Sequence, residues 1–411
     1  MPQLHTLKKI RQNPLALPIY LPSLIFAFAQ GLLIPIMPLY AGSFGATYGM
    51  IGLVMSAAAL GAVLGDLPAG LLIRRLGRKN GMLVGLVTAT FSTVLLFWSP
   101  SLVIVIACRM VGGFGIALFG IACFTYIADV TPVAARGRSI ALVGGVFRIG
   151  KFAGPVVAGA VAASQGLRFP FLIFGAAGAA ALVIVLLFTP TLDEDVRDKE
   201  ALSAPQHNFL GSVLKSHYRL LMSAGAGFLF MQIIRSGPII ILPLFASDVL
   251  GLDVQDIGIV MSSSAAVEMT LFYPVGLLMD RRGRKVAIVS SLLFMTAGLA
   301  LLPAVGSFLS LLWIALLLGF GNGLGSGTMM TLGADLAPPN MRGEFLGLWR
   351  LIGDVGGTGG PLVIGGVADL FSLQPTMWVI AGMGLIAVSI FYWRVPETLK
   401  KPSKKTKAIS R

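Results

Sequence analysis

Gly276-Leu277-Leu278-Met279-Asp280-Arg281-Arg282-Gly283-Arg284-Lys285 sets five charges on a short glycine turn between two long apolar runs. A second copy, Gly70-Leu71-Leu72-Ile73-Arg74-Arg75-Leu76-Gly77-Arg78-Lys79, lies 206 residues upstream. The same offset relates Pro68 to Pro274, Asp129 to Asp335, Pro132 to Pro338, Arg136 to Arg342, Gly137 to Gly343, Gly150 to Gly356, and Gly154-Pro155 to Gly360-Pro361. The chain is therefore a duplicated unit.

Twelve apolar runs long enough to cross a hydrocarbon core, which takes about 20 helical residues, lie near 17–41, 49–73, 81–98, 101–126, 139–164 and 168–189, then 218–247, 254–279, 284–304, 307–332, 343–370 and 375–396. Backbone groups in lipid must pair internally, so these runs are helices and the chain is an all-α membrane protein. The composition agrees, with 56% hydrophobic residues, 12% charged residues and a mean hydropathy of +0.88. The division expected is a first six-helix bundle over 1–189, a charged cytoplasmic linker over 190–217, and a second bundle with a basic tail over 218–411. The first apolar run is expected to be retained as a span rather than removed as a signal peptide.

The paired loops, each with a glycine one turn before the position of an acid and then a basic run closed by Gly-Arg-Lys, resemble the signature of the major facilitator superfamily of secondary transporters. The resemblance covers nearly the whole chain. It implies two six-helix bundles around a central cavity that opens alternately to each side. It also marks Gly70, Arg74, Arg75, Gly77 and Arg78, with Gly276, Asp280, Arg281, Gly283 and Arg284, as gating-loop residues. In the family's arrangement each loop docks on a helix end of the opposite half, where an acid is favoured at a helix N-terminus. The first copy departs from the pattern, carrying Arg74 where the second has Asp280.

A net charge of +14 raises the question of nucleic acid. The basic residues answer it by lying on alternate loops and at the ends, except for Arg168 and five within apolar runs. This is the positive-inside pattern and places both termini in the cytoplasm, with the basic tail against anionic lipid headgroups. No nucleic-acid partner, no cofactor and no metal site is expected. Cys108 and Cys123 share one apolar run, the three histidines lie outside the spans, and no glycine-rich loop follows a strand to cradle nucleotide phosphate.

An ionised group at mid-bilayer costs about 2.5–3.5 kcal/mol even on lenient scales, so each of the eight found within the spans needs a reason. They are Arg109, Arg148, Lys151, Arg235, Arg350, Asp66, Glu268 and Asp354. Glu268 has no basic residue within a turn of its own helix, and burial disfavours its charged form, which suits a proton carrier. Asp66 and Asp354 are further proton-coupling candidates, although Arg350 lies one turn from Asp354 on the same face and offers an intrahelical pair. Arg148 and Lys151 are three residues apart near the midplane of the fifth span, where two cations suit an anionic substrate or equally an acid of the other half, since the twin of Arg148 is Asp354. Arg235, Arg350, Gln30 and Asn322 complete the expected substrate cavity.

Two further motifs carry the resemblance. Arg109-Met110-Val111-Gly112-Gly113-Phe114-Gly115 is similar to the family's fourth-helix motif associated with proton coupling, and implies that Arg109 modulates an acid across the cavity. Gly150-Lys151-Phe152-Ala153-Gly154-Pro155-Val156-Val157-Ala158-Gly159 is similar to the fifth-helix motif of exporters, with Ala158 at a usual glycine. Gly150, Gly154, Pro155 and Gly159, with Gly360 and Pro361 in the second half, are expected to pack helices closely. Gly319, Gly323 and Gly327 are expected to form one such face in the tenth span, and Pro35, Pro38, Pro238 and Pro243 to interrupt the first and seventh.

The function expected is therefore proton-coupled antiport, in the export direction, of a small amphipathic or anionic organic molecule. The protein is expected to act as a monomer in a bacterial inner membrane. Uptake or exchange of an organic anion or lysophospholipid-like molecule is the alternative within transport. A membrane enzyme acting on lipid would need clustered acids or histidines at a membrane edge, and the acids here are scattered singly.

Overall fold

The computed structural model describes residues 15–191, 209–338 and 341–399. Among these residues every regular element is helical. The first half contains α1 (Leu21–Gly42, entered through a π-helical turn at Ala16–Tyr20), α2 (Tyr48–Leu76), α3 (Arg78–Val94), α4 (Leu102–Val130), α5 (Val133–Gln165) and α6 (Phe169–Phe188). The second contains α7 (Phe209–Asp248), α8 (Val254–Arg282), α9 (Arg284–Leu301), α10 (Phe308–Leu324), α11 (Thr328–Leu336), α12 (Arg342–Phe371) and α13 (Leu373–Ser389). Helix α7 begins within the stretch expected to be linker; residues 192–208 lie outside the described residues.

Each half has its own aromatic core. In the first, Phe26 meets Phe119 and Phe174 edge-on at 5.2 and 6.0 Å. In the second, Trp349 stacks on Phe228 at 5.0 Å and donates from Nε1 to the Met329 carbonyl at 2.9 Å. Close helix crossings rest on glycine: a side chain at Gly154 of α5 would run into the backbone of Gly31 on α1, and one at Gly360 of α12 would meet Ser236 of α7.

Eleven spans are long and apolar enough to cross a membrane by composition alone. The twelfth, α8, falls outside that set because it carries Ser262, Ser263, Ser264 and Glu268 in its middle and charge at both ends. Ser262 bonds α5 and Glu268 bonds Asn322, so these polar residues are met by protein and the helix does not need the hydropathy of its neighbours.

Two expectations change in detail. Helices α1 and α7 run through their prolines without a break. The break falls instead in the tenth span, where Gly327 adopts φ +74 and separates α10 from α11. Gly319 and Gly323 do pack against α8, whereas Gly327 is a turn residue and leaves their face. The basic loops turn on Gly77 and Gly283 at φ +84 and +110, a conformation that strongly favours glycine.

The duplication is written into the contacts between the halves. Ser262 of α8 donates to the Phe152 carbonyl of α5 at 3.1 Å, and its counterpart Ser56 of α2 donates to the Thr358 carbonyl of α12 at 2.7 Å. Gly258 sits against the Pro155 carbonyl and Gly159, as Gly52 sits against the Pro361 carbonyl and Gly365. Tyr48 donates to Asp248 at 3.1 Å and Thr47 to Asp369 at 2.8 Å at the rim. All of these lie at the end opposite the two basic loops. That end is sealed by helix backbones in direct contact, and cavities open between the halves on the side of the loops.

Candidate functional site

Four helices deliver charged or polar side chains to one cavity of about 260 Å³ between the halves. Arg148 and Lys151 come from α5, Arg235 from α7, Glu268 from α8 and Asn322 from the last turn of α10, with walls of Phe152, Pro238, Met261 and Leu318. Asn322 is the hub. Its Nδ2 donates to Glu268 Oε2 at 2.6 Å, and its Oδ1 accepts from Arg235 Nε at 2.7 Å. Lys151 and Arg235 both lie within the electrostatic reach of Glu268.

Local structure explains the placement. Because Gly323 lacks a side chain, α10 passes close to the α8 backbone at Glu268. The turn after Leu324 then presents Ser326, which accepts from Arg148 Nη2 at 2.7 Å. The Arg148 guanidinium also lies 4.2 Å from the centre of the Phe272 ring, a cation–π contact. Arg148 thus bridges the first half to α8 and to the turn between α10 and α11 in the second.

Glu268, the most isolated acid along its own helix, therefore shares its cavity with three cations. With Glu268 ionised the four charges sum to +2. Sequence reasoning placed Arg148, Lys151, Arg235, Glu268 and Asn322 at a site but could not join them, because they come from four helices. It missed Ser326 and Phe272, which anchor Arg148, and Ser56, Ser262, Gly52 and Gly258 of the seal, although it had named Gly159, Pro155 and Pro361 there. Scanning the sequence at the 206-residue offset would have found Ser56 with Ser262 and Gly52 with Gly258.

The remaining candidates are elsewhere. Asp66, Arg350 and Asp354 line a second cavity of about 470 Å³, the duplication image of the first. There Ala62 and Ile116 stand where the first cavity has Glu268 and Asn322. Asp354 and Arg350 form the intrahelical pair at 3.6 Å, with both side chains substantially exposed. A third cavity of about 320 Å³ shares Gln232, Arg350 and Asp354 with the second and reaches Arg235. Gln30 sits one turn before the cavity residue Ile34, with its buried Nε2 unpartnered. Arg109 is buried with Nε unpartnered and lines none of these three cavities, so the structure does not bring it opposite Glu268.

Among the described residues the ion pairs of the gating loops lie within their own halves. Arg78 pairs with Asp129 at 2.8 Å, and Arg284 with Asp335 at 2.9 Å and Asp280 at 3.4 Å. Glu397, beyond the last span, accepts from the backbone N–H groups of Arg284 and Lys285 at 3.0 Å each and so caps α9.

The family model described as Major Facilitator Superfamily matches residues 19–361 and 334–411. Multidrug resistance protein 2 of Bacillus subtilis (strain 168) is 24% identical over 93% of this chain and 96% of its own length. The class H tetracycline resistance protein of Pasteurella multocida is 25% identical over 88% and 90%. Among solved structures, a bacterial homologue of the human lysosomal transporter Spinster, inward-facing and unoccupied, superposes with a TM-score of 0.75 at 16% identity, covering 93% of this chain and 96% of that one. The nucleoside transporter NupG superposes with a TM-score of 0.72 at 16% identity, covering 92% and 98%.

Proposed function

The chain belongs to the Major Facilitator Superfamily of membrane transporters, and from that premise we propose that it carries a small amphipathic organic anion through the cavity around Asn322, with Glu268 as the proton-binding group. One observation carries the reading: three cations and one acid share, with Asn322 and Ser264, a cavity between the two halves whose other walls are apolar. Desolvated cations attract a carboxylate, sulfonate or phosphate, while Phe152, Met261 and Leu318 suit an apolar body. The seal at one end and the cavities toward the basic loops correspond to one state of an alternating-access cycle. By the positive-inside rule that state faces the cytoplasm of a bacterial inner membrane.

Export is the direction that likeness to drug-resistance proteins favours, and proton antiport through Glu268 would drive it. Uptake or exchange of an organic anion is favoured by the cavity's excess positive charge.

The test is transport by the purified protein in proteoliposomes under an imposed pH gradient, with aromatic organic anions and matched cations as substrates. Movement of anions, abolished by Glu268→Gln while binding persists, is the expected result. Gradient-driven transport at the wild-type rate in Glu268→Gln would move the proton role to Asp66 or Asp354.

A further inference from the structure

The Asn322 amide is committed on both sides, donating to Glu268 at 2.6 Å and accepting from Arg235 at 2.7 Å. An ionised Glu268 therefore occupies the donor that orients Asn322, and through it fixes the Arg235 guanidinium. It also competes with any incoming anion for the field of Lys151 and Arg235. Protonation removes that competitor and raises the summed charge of the four groups from +2 to +3.

Among the described residues no other charged group lining this cavity reverses this sign. From α5 the facing groups are Arg148 and Lys151, from α7 Arg235, and from α10 the neutral Asn322. Helix α1 brings the apolar Ile34, and its one titratable side chain, Tyr40, is bonded to the Leu96 carbonyl. The charges of α9, Arg284 and Lys285, stand at the basic-loop end, the first paired with Asp335 and the second over the Tyr392 ring. On α8 itself Asp256 and Asp280–Arg282 lie at the two ends of the helix.

We infer that a proton on Glu268 and the organic anion bind together rather than in competition, and that Asn322 is the positioning residue that hands Arg235 from Glu268 to the substrate. The inference rests on the substrate class proposed above and gives it a direction of coupling. By reciprocity, the factor by which the proton tightens anion binding is the factor by which the anion tightens proton binding. An anion carried this way moves with its proton, as in symport. Antiport through Glu268 requires the two to exclude each other, which a cationic substrate would do in this cavity.

Equilibrium binding of naphthalene sulfonate, which stays ionised throughout, to the full-length protein in lipid nanodiscs tests this from mildly acidic to mildly alkaline pH. A naphthyl quaternary ammonium of the same size is the counter-probe. The expected result is sulfonate affinity rising as pH falls, by up to about tenfold per unit for one linked proton. Binding by Glu268→Gln should be tight and independent of pH. Asn322→Leu should retain binding at low pH but lose much of the pH slope, and Asn322→Gln should recover part of it. Sulfonate binding in the wild type that weakens or stays level as pH falls overturns the inference and leaves the substrate class standing. Absence of saturable sulfonate binding at every pH, with the ammonium bound, overturns the substrate class and the inference with it.

Discussion

Arg284 holds Asp335 at 2.9 Å, joining the first turn of α9 to α11, and 206 residues earlier Arg78 pairs with Asp129 at 2.8 Å between α3 and α4. The two basic loops are thus tied to the tenth and fourth spans by duplicate ion pairs. They differ in what surrounds the pair. In the second half Arg284 also takes Asp280, and Glu397 caps the helix it begins. In the first half Arg74 stands at the place of Asp280 and Thr191 at that of Glu397. In the second half Asp280 and Glu397 thus add their carboxylates to the contacts of the loop.

The cap gives a pH signature. Partial burial pushes the Glu397 carboxyl up, but N–H groups of Leu399, Arg284, Lys285 and Thr398 outweigh it and hold the group below the ordinary range. A lowered folded value means the stabilisation is present above the unfolded pKa and is lost as pH falls through the folded one. Glu397→Gln should cost about 0.3–1 kcal/mol at neutral pH, a range suited to an exposed cap. Melting curves of wild type and variant should converge in acid; a constant gap would remove the carboxylate from the explanation.

The seal predicts an effect on conformation. At Gly258 any side chain meets the Pro155 carbonyl, and at Gly52 the Pro361 carbonyl. Overpacking of this kind costs about 1–3 kcal/mol, so Gly258→Val and Gly52→Val should each shift the balance toward opening of the sealed end by roughly tenfold. The readout is labelling of a cysteine replacing the cavity residue Ile34 by an impermeant reagent applied from that side. Unchanged labelling in both variants would show that the seal is held elsewhere.

Ser372 offers a stability test. Its φ is +70, while its counterpart Gly166 takes φ +105 without strain. Left-handed backbone costs a non-glycine residue about 1–2 kcal/mol, and the extra freedom of glycine in the unfolded chain returns about 0.4–1 kcal/mol of that. Ser372→Gly should therefore stabilise the protein by up to about 1 kcal/mol, seen as a higher melting temperature. A lower one would mean that the serine is held by more than its turn.

Topology is checked by single-cysteine labelling. Val249 stands at the sealed end and Arg75 on a basic loop. Val249→Cys should react with an impermeant reagent outside intact cells, and Arg75→Cys only after the membrane is opened. The reverse pattern would invert the orientation drawn from the basic residues.

The sequence alone settled the helices, the duplication and the candidate charges. Long apolar runs in lipid have one way to pair their backbones, and a repeat at a fixed offset is visible without coordinates. It also marked Glu268, because a lone carboxyl in an apolar run is conspicuous. Only the tertiary structure decided that Glu268 is not alone: Asn322 bonds it, and Arg235, Lys151 and Arg148 line the same cavity, from three other helices. It likewise placed Asp354 with Arg350, left Arg109 outside the cavity, and moved the helix break from the prolines to Gly327. Periodicity fixes the face of a helix on which a residue stands. Which helix that face meets depends on glycine-to-backbone contacts between segments far apart in the chain, and no local pattern encodes them.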